Sequence, residues 1–270
     1  MRISKWSVMI ILSLITILFL LPFYIMVVMG TYFSEDLFKQ LPLLPGSYFI
    51  KNLKTVLSGG FLLNYWNSFY VAVLFTVISV VMSAITGYAF GKFNFPGKKV
   101  FYLIILFTMM VPGQLGLIAF VMEMKFFHLN NTHIPLLIGA LNNAFGVFFM
   151  TQFSQSSVPT EVIESARIDG CGELSIFFRI VTPFLMPALS TLGLLAFLGS
   201  WNNYLLPLVT LNEPELYTLP LGIANLSTMF RTDYSASILG LTLGTLPLIV
   251  IFMFGSKTLV RGLTGGAVKG

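Results

Sequence analysis

The chain has 270 residues, of which 56% are hydrophobic, 15% aromatic and only 9% charged, with a mean hydropathy of +0.89. Ordinary soluble domains carry about 25% charged residues, so this composition cannot cover a water-facing surface and excludes a soluble globular protein. The net charge of +5 and pI near 9.3 do not indicate nucleic acid, because Lys and Arg sit in short clusters between apolar spans rather than on one basic face.

Six apolar stretches, in chain order, are long enough to cross a bilayer core, which takes about 20 residues: roughly 7–31, 66–91, 100–122, 134–153, 184–210 and 237–256. Arg2 and Lys5 precede the first, but its apolar run is long and lacks a small-residue cleavage pattern, so it is expected to stay as an anchor. His128 and His133 flank "LNNT" between the third and fourth spans and are expected to be solvated loop side chains. The outer connections at about 32–65 and 211–236 are the largest pieces on their face. Cys171 is the single cysteine, which excludes an internal disulfide and gives no metal cluster.

Orientation follows from the basic residues. With the N-terminus inside, the inner segments hold Arg2, Lys5, Lys92, Lys98, Lys99, Arg167, Arg179, Lys257, Arg261 and Lys269, and the outer ones Lys39, Lys51, Lys54, Lys125 and Arg231. The clusters "KFNFPGKK" and "SKTLVRG" adjoin span ends, where the positive-inside rule applies best. The expected fold class is therefore an all-α polytopic membrane protein with six transmembrane helices and cytoplasmic N- and C-termini, residues 1–270 forming a single membrane domain.

The inner segment between spans four and five, "EVIESARIDGCGELSIFFRIVTP", crowds Glu161, Glu164, Asp169 and Glu173 with Arg167 and Arg179. Pro159 suits the first position of a helix. Glu161 and Glu164 favour the positive end of its dipole, Arg167 favours the last turn, and Gly170 can end the helix in a left-handed conformation. Leu174, Phe177, Phe178 and Val181 form an apolar stripe at helical spacing, limited by Pro183. The spacing predicts two short helices at the membrane surface, in a loop at about 154–183. Such a loop is either a solvated connector or a docking knob for a cytoplasmic partner.

No G-x-x-x-x-G-K-[ST] phosphate loop and no H-E-x-x-H occurs, so the chain is not expected to be an enzyme. The six spans hold essentially no ionisable groups, which leaves an ATPase-independent secondary transporter without the charges it needs. The polar side chains at depth are Gln114, Asn142, Asn143, Asn202 and Asn203, with Trp201 and Tyr204 beside the last pair. Amides both donate to and accept from hydroxyls, which suits a neutral polar cargo, and they also join helices across a membrane. Pro112–Gly113 and Pro207 interrupt spans three and five, and freed carbonyls at such breaks are tolerated where they line a cavity.

The loop's spacing adds a resemblance. "ESA", three residues, Gly170, nine residues and "IVTP" resemble the EAA motif of bacterial ABC importer permeases, EAA–x3–G–x9–I–x–LP, with Ser165 and Thr182 as small departures. "MVPGQ", "NNTHIPLLI", "MTQF", "WNNYLLPL" and the ending "RGLTGGAVKG" look like the MalG-like permease subunits of carbohydrate importers. The resemblance implies a type I ABC importer permease fold in a bacterial cell membrane. It implies a coupling helix whose Glu161, Glu164, Ala166, Arg167, Asp169, Gly170, Ile180 and Pro183 serve the ATPase. The substrate path expected near Gln114, Asn142, Asn143, Trp201, Asn202, Asn203 and Tyr204 is read from those side chains themselves, since in the family the partner permease supplies much of the cargo contact. The implied partners are a second, MalF-like permease, two copies of a cytoplasmic ABC ATPase and an extracytoplasmic solute-binding protein, which the outer loop at about 211–236 is expected to touch. No cofactor is implied in this chain; ATP and Mg belong to the ATPase. The implied cargo is a sugar, expected to be an oligosaccharide, with glycerol phosphate or a small polyol as the alternative. The tail 261–270 is expected to reach between the ATPase subunits as a glycine-rich strand.

Overall fold

A chain that meets lipid along much of its length must satisfy its backbone hydrogen bonds within each segment, and the helix does this. The computed structural model describes residues 5–39, 42–226 and 233–265, and every regular element among them is helical. In chain order these are α1 (Lys5–Met29), α2 (Phe49–Ser58), α3 (Phe61–Lys92), α4 (Lys98–Met110), α5 (Leu117–Phe126), α6 (Ile134–Ile138), α7 (Ala144–Ser157), α8 (Thr160–Ile168), α9 (Glu173–Ser175), α10 (Thr182–Trp201), α11 (Leu205–Thr210), α12 (Leu219–Asn225) and α13 (Tyr234–Gly265). Tight 3-10 turns at Gly113–Gly116 and Gly139–Asn142 and a wide π turn at Ile176–Val181 join several of them.

Among the described residues, five stretches are long and apolar enough to cross a membrane: Val8–Met29, Phe61–Lys92, Ile134–Ser157, Glu173–Trp201 and Tyr234–Met253; a sixth arises if α4 and Gly113–Phe126 count as one bent span. The expected third span is therefore not a straight helix. It breaks because Pro112 lacks an N–H and disfavours helical geometry in the residue before it, so Val111 is extended (φ −87°, ψ 120°), and the two halves lie 90° apart. The expected fifth span ends earlier, at Trp201, with α11 as a separate helix after the break. The second and sixth begin earlier, at Phe61 and Tyr234, and the connections expected on the outer face carry the helices α2 and α12. In the expected tail strand, 261–265 continue α13 as helix, and 266–270 lie outside the described residues, as does Arg231.

The described residues gather into two compact groups, within Met1–Trp66 plus Tyr217–Leu248 and within Asn67–Leu216 plus Ile249–Gly270. In the first, buried Asn52 of α2 donates to the Gly30 and Tyr32 carbonyls at 2.9 and 2.7 Å, pinning α2 to the chain leaving α1. Asp233 accepts from the Ala236 N–H at 3.0 Å and from the Ser34 hydroxyl, capping α13. Most of α1 is exposed and apolar.

In the second group, α3 and α7 meet along a seam of small residues. Ser79, Ser83, Gly87 and Gly91 recur every fourth position of α3. A Cβ on Gly87 would lie 2.5 Å from Met150 Cβ, and one on Gly91 would lie 2.8 Å from Ser154 Cβ. Small residues permit this backbone approach, which replaces hydrophobic driving force between helices in lipid. Around the seam, Met150, Ile163, Ile176, Val181, Leu185 and Leu192 form part of one buried cluster.

Candidate functional site

The segment after α7 turns outward because Val158 and Pro159 are extended, and α8 begins at Thr160, so Pro159 stands at the cap rather than at the first helical position. Glu161 lies in its first turn and Arg167 in its last. Ile163 and Ala166 point into the buried cluster, while Glu161, Glu164, Arg167, Ile168, Asp169 and Gly170 are exposed. The helix stops at Gly170, whose φ is +78°. The Gly170 N–H donates to the Arg167 carbonyl and the Cys171 N–H to the Ala166 carbonyl, both at 3.0 Å, the paired bonds of a left-handed helix stop. A Cβ on Gly170 would meet nothing within 4 Å, so the dihedral angle, not crowding, requires glycine there.

Arg167 reaches across this turn. Its Nε donates to Glu173 Oε1 at 2.6 Å, and its guanidinium carbon lies 5.4 Å from the centre of the Phe93 ring. The bond to Glu173, helped by that carboxylate's charge, raises the pKa of Arg167 above its ordinary value, so the side chain stays cationic. Phe93 stands edge-on to Tyr88 at 5.3 Å, and Tyr88 lies 5.5 Å from Phe177. The aromatic chain thus links the end of α3 to both arms of the loop.

The second arm differs from the expected short surface helix. α9 runs through the π turn into α10 as one helical stretch. Pro183 supplies no N–H, and the Phe177 carbonyl accepts from both the Thr182 N–H and the Thr182 hydroxyl, the latter at 2.8 Å. The wide turn shifts the inward face, so Ile176, Phe177 and Val181 are buried, whereas Leu174 and Phe178 are 75% and 57% exposed. A stripe counted at α spacing therefore splits between core and surface. Ile180 packs at the edge of the cluster, and Pro183 is exposed at the start of α10. Two residues of this surface carry no mark in the motif. One is Glu173, six positions after Arg167 across a glycine turn. The other is Ile168, an apolar side chain 87% exposed immediately before Asp169.

The amides expected at depth divide. Gln114, Asn142 and Asn203 line one cleft of about 530 Å³. Asn143 and Asn203 line another of about 380 Å³, beside Phe75 and Phe145. Asn143 is engaged in the fold: its Oδ1 accepts from the Gly146 N–H at 2.9 Å, capping α7, and its Nδ2 donates to Ser79 at 2.8 Å. Trp201, Asn202 and Tyr204 line neither cleft. Trp201 is buried and stacked on Phe197 at 5.7 Å, and Asn202 donates back to the Leu198 carbonyl. His133 is not a solvated loop residue: it is half-buried, accepts the Tyr70 hydroxyl on Nδ1 and donates from Nε2 to the Leu216 carbonyl at 2.6 Å. His128 is exposed, with φ 55°.

Several apolar spans joined by a built, charged loop define a multi-pass membrane protein. Residues 80–265 match the family described as binding-protein-dependent transport system inner membrane component, and the chain belongs to that family, whose place is the cell membrane. It is 30% identical over 262 residues to the arabinooligosaccharides transport system permease protein AraQ of Bacillus subtilis strain 168, covering 95% of this chain and 93% of that one. It is 34% identical over 210 residues to the AraQ protein of Halalkalibacterium halodurans, covering 76% and 75%. The fold is shared with a chain of a bacterial ABC transporter involved in the import of the acidic polysaccharide alginate. That match has a TM-score of 0.76 at 24% identity and covers 95% of this chain and 99% of the other.

Proposed function

We propose that this chain is one of two membrane subunits of an ATP-driven importer for a neutral oligosaccharide. In this reading it forms one transmembrane domain, residues 1–270, with six spans and both termini in the cytoplasm. A MalF-like permease completes the path, two copies of a cytoplasmic ATPase hold ATP and Mg, and an extracytoplasmic binding protein delivers the cargo. The observation that carries the reading is the loop around α8. It is anchored inward by Ile163 and Ala166 and offers outward two carboxylates, Glu161 and Glu164, with exposed Ile168. A helix fixed on one face and bare on the other passes a push from a partner into α10 through the π turn and into α3 through Phe93 and Tyr88.

A sugar cargo is supported by the arabinooligosaccharide relatives and by the lining of both clefts, which holds amides and aromatic rings but no charged side chain. An anion such as glycerol phosphate would find no counter-charge there. The test is uptake of radiolabelled arabinotriose and maltotriose by proteoliposomes holding the whole complex. Uptake of either that needs both ATP and the binding protein, and that is lost in Glu164→Arg while the complex still assembles, is the expected result. Uptake without ATP, or normal uptake in Glu164→Arg, would overturn the reading.

A further inference from the structure

Three helix interruptions meet at one cleft. α4 stops at Pro112–Gly113, α6 passes through the 3-10 turn Gly139–Asn142 before α7 begins, and α10 ends at Trp201 before α11 starts at Leu205. At membrane depth, backbone outside a regular helix is tolerated where it is buried in protein or lines a water-filled cavity. Each interruption brings one amide to the cleft: Gln114, Asn142 and Asn203. The amides of Gln114 and Asn142 are exposed and make no hydrogen bond among the described residues. Asn203 gives only its Oδ1 to the fold, accepting from the Leu206 N–H at 3.3 Å. Phe120 adds an apolar face. The volume of about 530 Å³ falls within the ~300–1,000 Å³ of small-ligand pockets.

We infer that this cleft is a cargo subsite on this subunit, taking one neutral, hydroxyl-rich ring at a time from a passing oligosaccharide. The amides both donate and accept, as a ring bearing hydroxyls requires, and Phe120 meets the apolar face of the ring. Trp201 and Tyr204, which stand beside an amide pair in the sequence, take no part. The inference rests on the importer reading and adds that this chain itself touches the sugar.

Gly116 allows a test that leaves the fold alone. It lines the cleft, its φ of −86° suits any residue, and a Cβ there would meet nothing within 4 Å. Gly116→Phe should fill the cleft. In the reconstituted complex it is expected to assemble and to lose uptake of arabinotriose and maltotriose at least tenfold. The double variant Gln114→Leu/Asn142→Leu keeps side-chain size but removes two amides, and should raise the KM for uptake about fivefold or more at little change in maximal rate. Wild-type uptake in an assembled Gly116→Phe complex, or an unchanged KM in the double variant, would overturn the subsite while leaving the importer reading intact. If Gly116→Phe does not assemble, the double variant alone decides. A wild-type complex that imports neither sugar would overturn the sugar reading and the subsite with it.

Discussion

Arg167 and Glu173 stand on opposite sides of the Gly170 turn and close it with one hydrogen-bonded ion pair, Nε to Oε1 at 2.6 Å. The two side chains are 41% and 47% exposed, so water and salt screen the pair and it contributes under about 1 kcal/mol to stability. Its consequence is geometric. It fixes the second arm against the first while the guanidinium rests on Phe93.

Removing the pair should therefore separate stability from coupling. Glu173→Ala is expected to leave the unfolding midpoint of the purified protein nearly unchanged, because a half-solvated pair is worth about 1 kcal/mol at most. Uptake per ATP hydrolysed should nonetheless fall. The exchange Arg167→Glu/Glu173→Arg should restore part of the ratio, since the pair re-forms but the contact with Phe93 does not. Equal losses in both readouts would assign the pair a purely structural role.

Gly170 yields an order of effects. With nothing within 4 Å of a Cβ there, substitutions are ranked by backbone strain, about 1–2 kcal/mol for an ordinary residue in the left-handed region and less for Asn. Uptake should decline from Gly to Asn to Ala to Val at that position. A ranking by side-chain size, with Asn worse than Ala, would show that crowding against a partner governs the site.

The α3–α7 seam predicts a contrast between two glycines. Gly87→Ala places its methyl 2.5 Å from Met150 Cβ and 2.8 Å from backbone atoms of Met150 and Thr151, an overpacking that typically costs about 1–3 kcal/mol. Gly113→Ala meets nothing and should be neutral. Thermal unfolding of the two variants in detergent measures the difference. Equal midpoints would mean that the seam is looser than described.

The loop at 127–133 is fastened to the chain after α11. Asn131 Oδ1 accepts the Asn212 and Glu213 N–H groups at 3.0 and 3.2 Å, its own N–H donates to the Thr210 carbonyl, and His133 holds Leu216. Asn131→Ala should speed hydrogen exchange at the amides of Asn212 and Glu213 while leaving α11 protected. Unchanged exchange at both amides would show that these bonds do not hold the loop.

The α8 loop was legible in the sequence because its determinants are local. Glu161 and Gly170 each act within a turn of their own position, and they and Arg167 stand where the spacing places them. Pro112 announced a break but not its 90° angle, which depends on what α4 and α5 pack against. The stripe from Leu174 to Val181 splits between core and surface because a π turn changes the count of residues per turn, which α spacing does not contain. The surroundings of Trp201 are hidden for a similar reason: adjacency to Asn202 in sequence says nothing about Phe197, on which it stacks. The seam of Ser79, Ser83, Gly87 and Gly91 is written in the sequence, but only its partner α7 gives it meaning. His133 depends on Tyr70 and Leu216, 63 and 83 residues away, and no local pattern contains that.

Cys171 offers the most direct measurement, because it is the chain's single cysteine and lies exposed one residue beyond Gly170. A membrane-impermeant maleimide would be applied to inside-out and right-side-out vesicles, with and without the ATPase bound. Labelling of inside-out vesicles alone, and its suppression when the ATPase is present, is the predicted result. Labelling from the outer face, or labelling of inside-out vesicles that the ATPase does not diminish, would contradict a cytoplasmic loop that receives the ATPase.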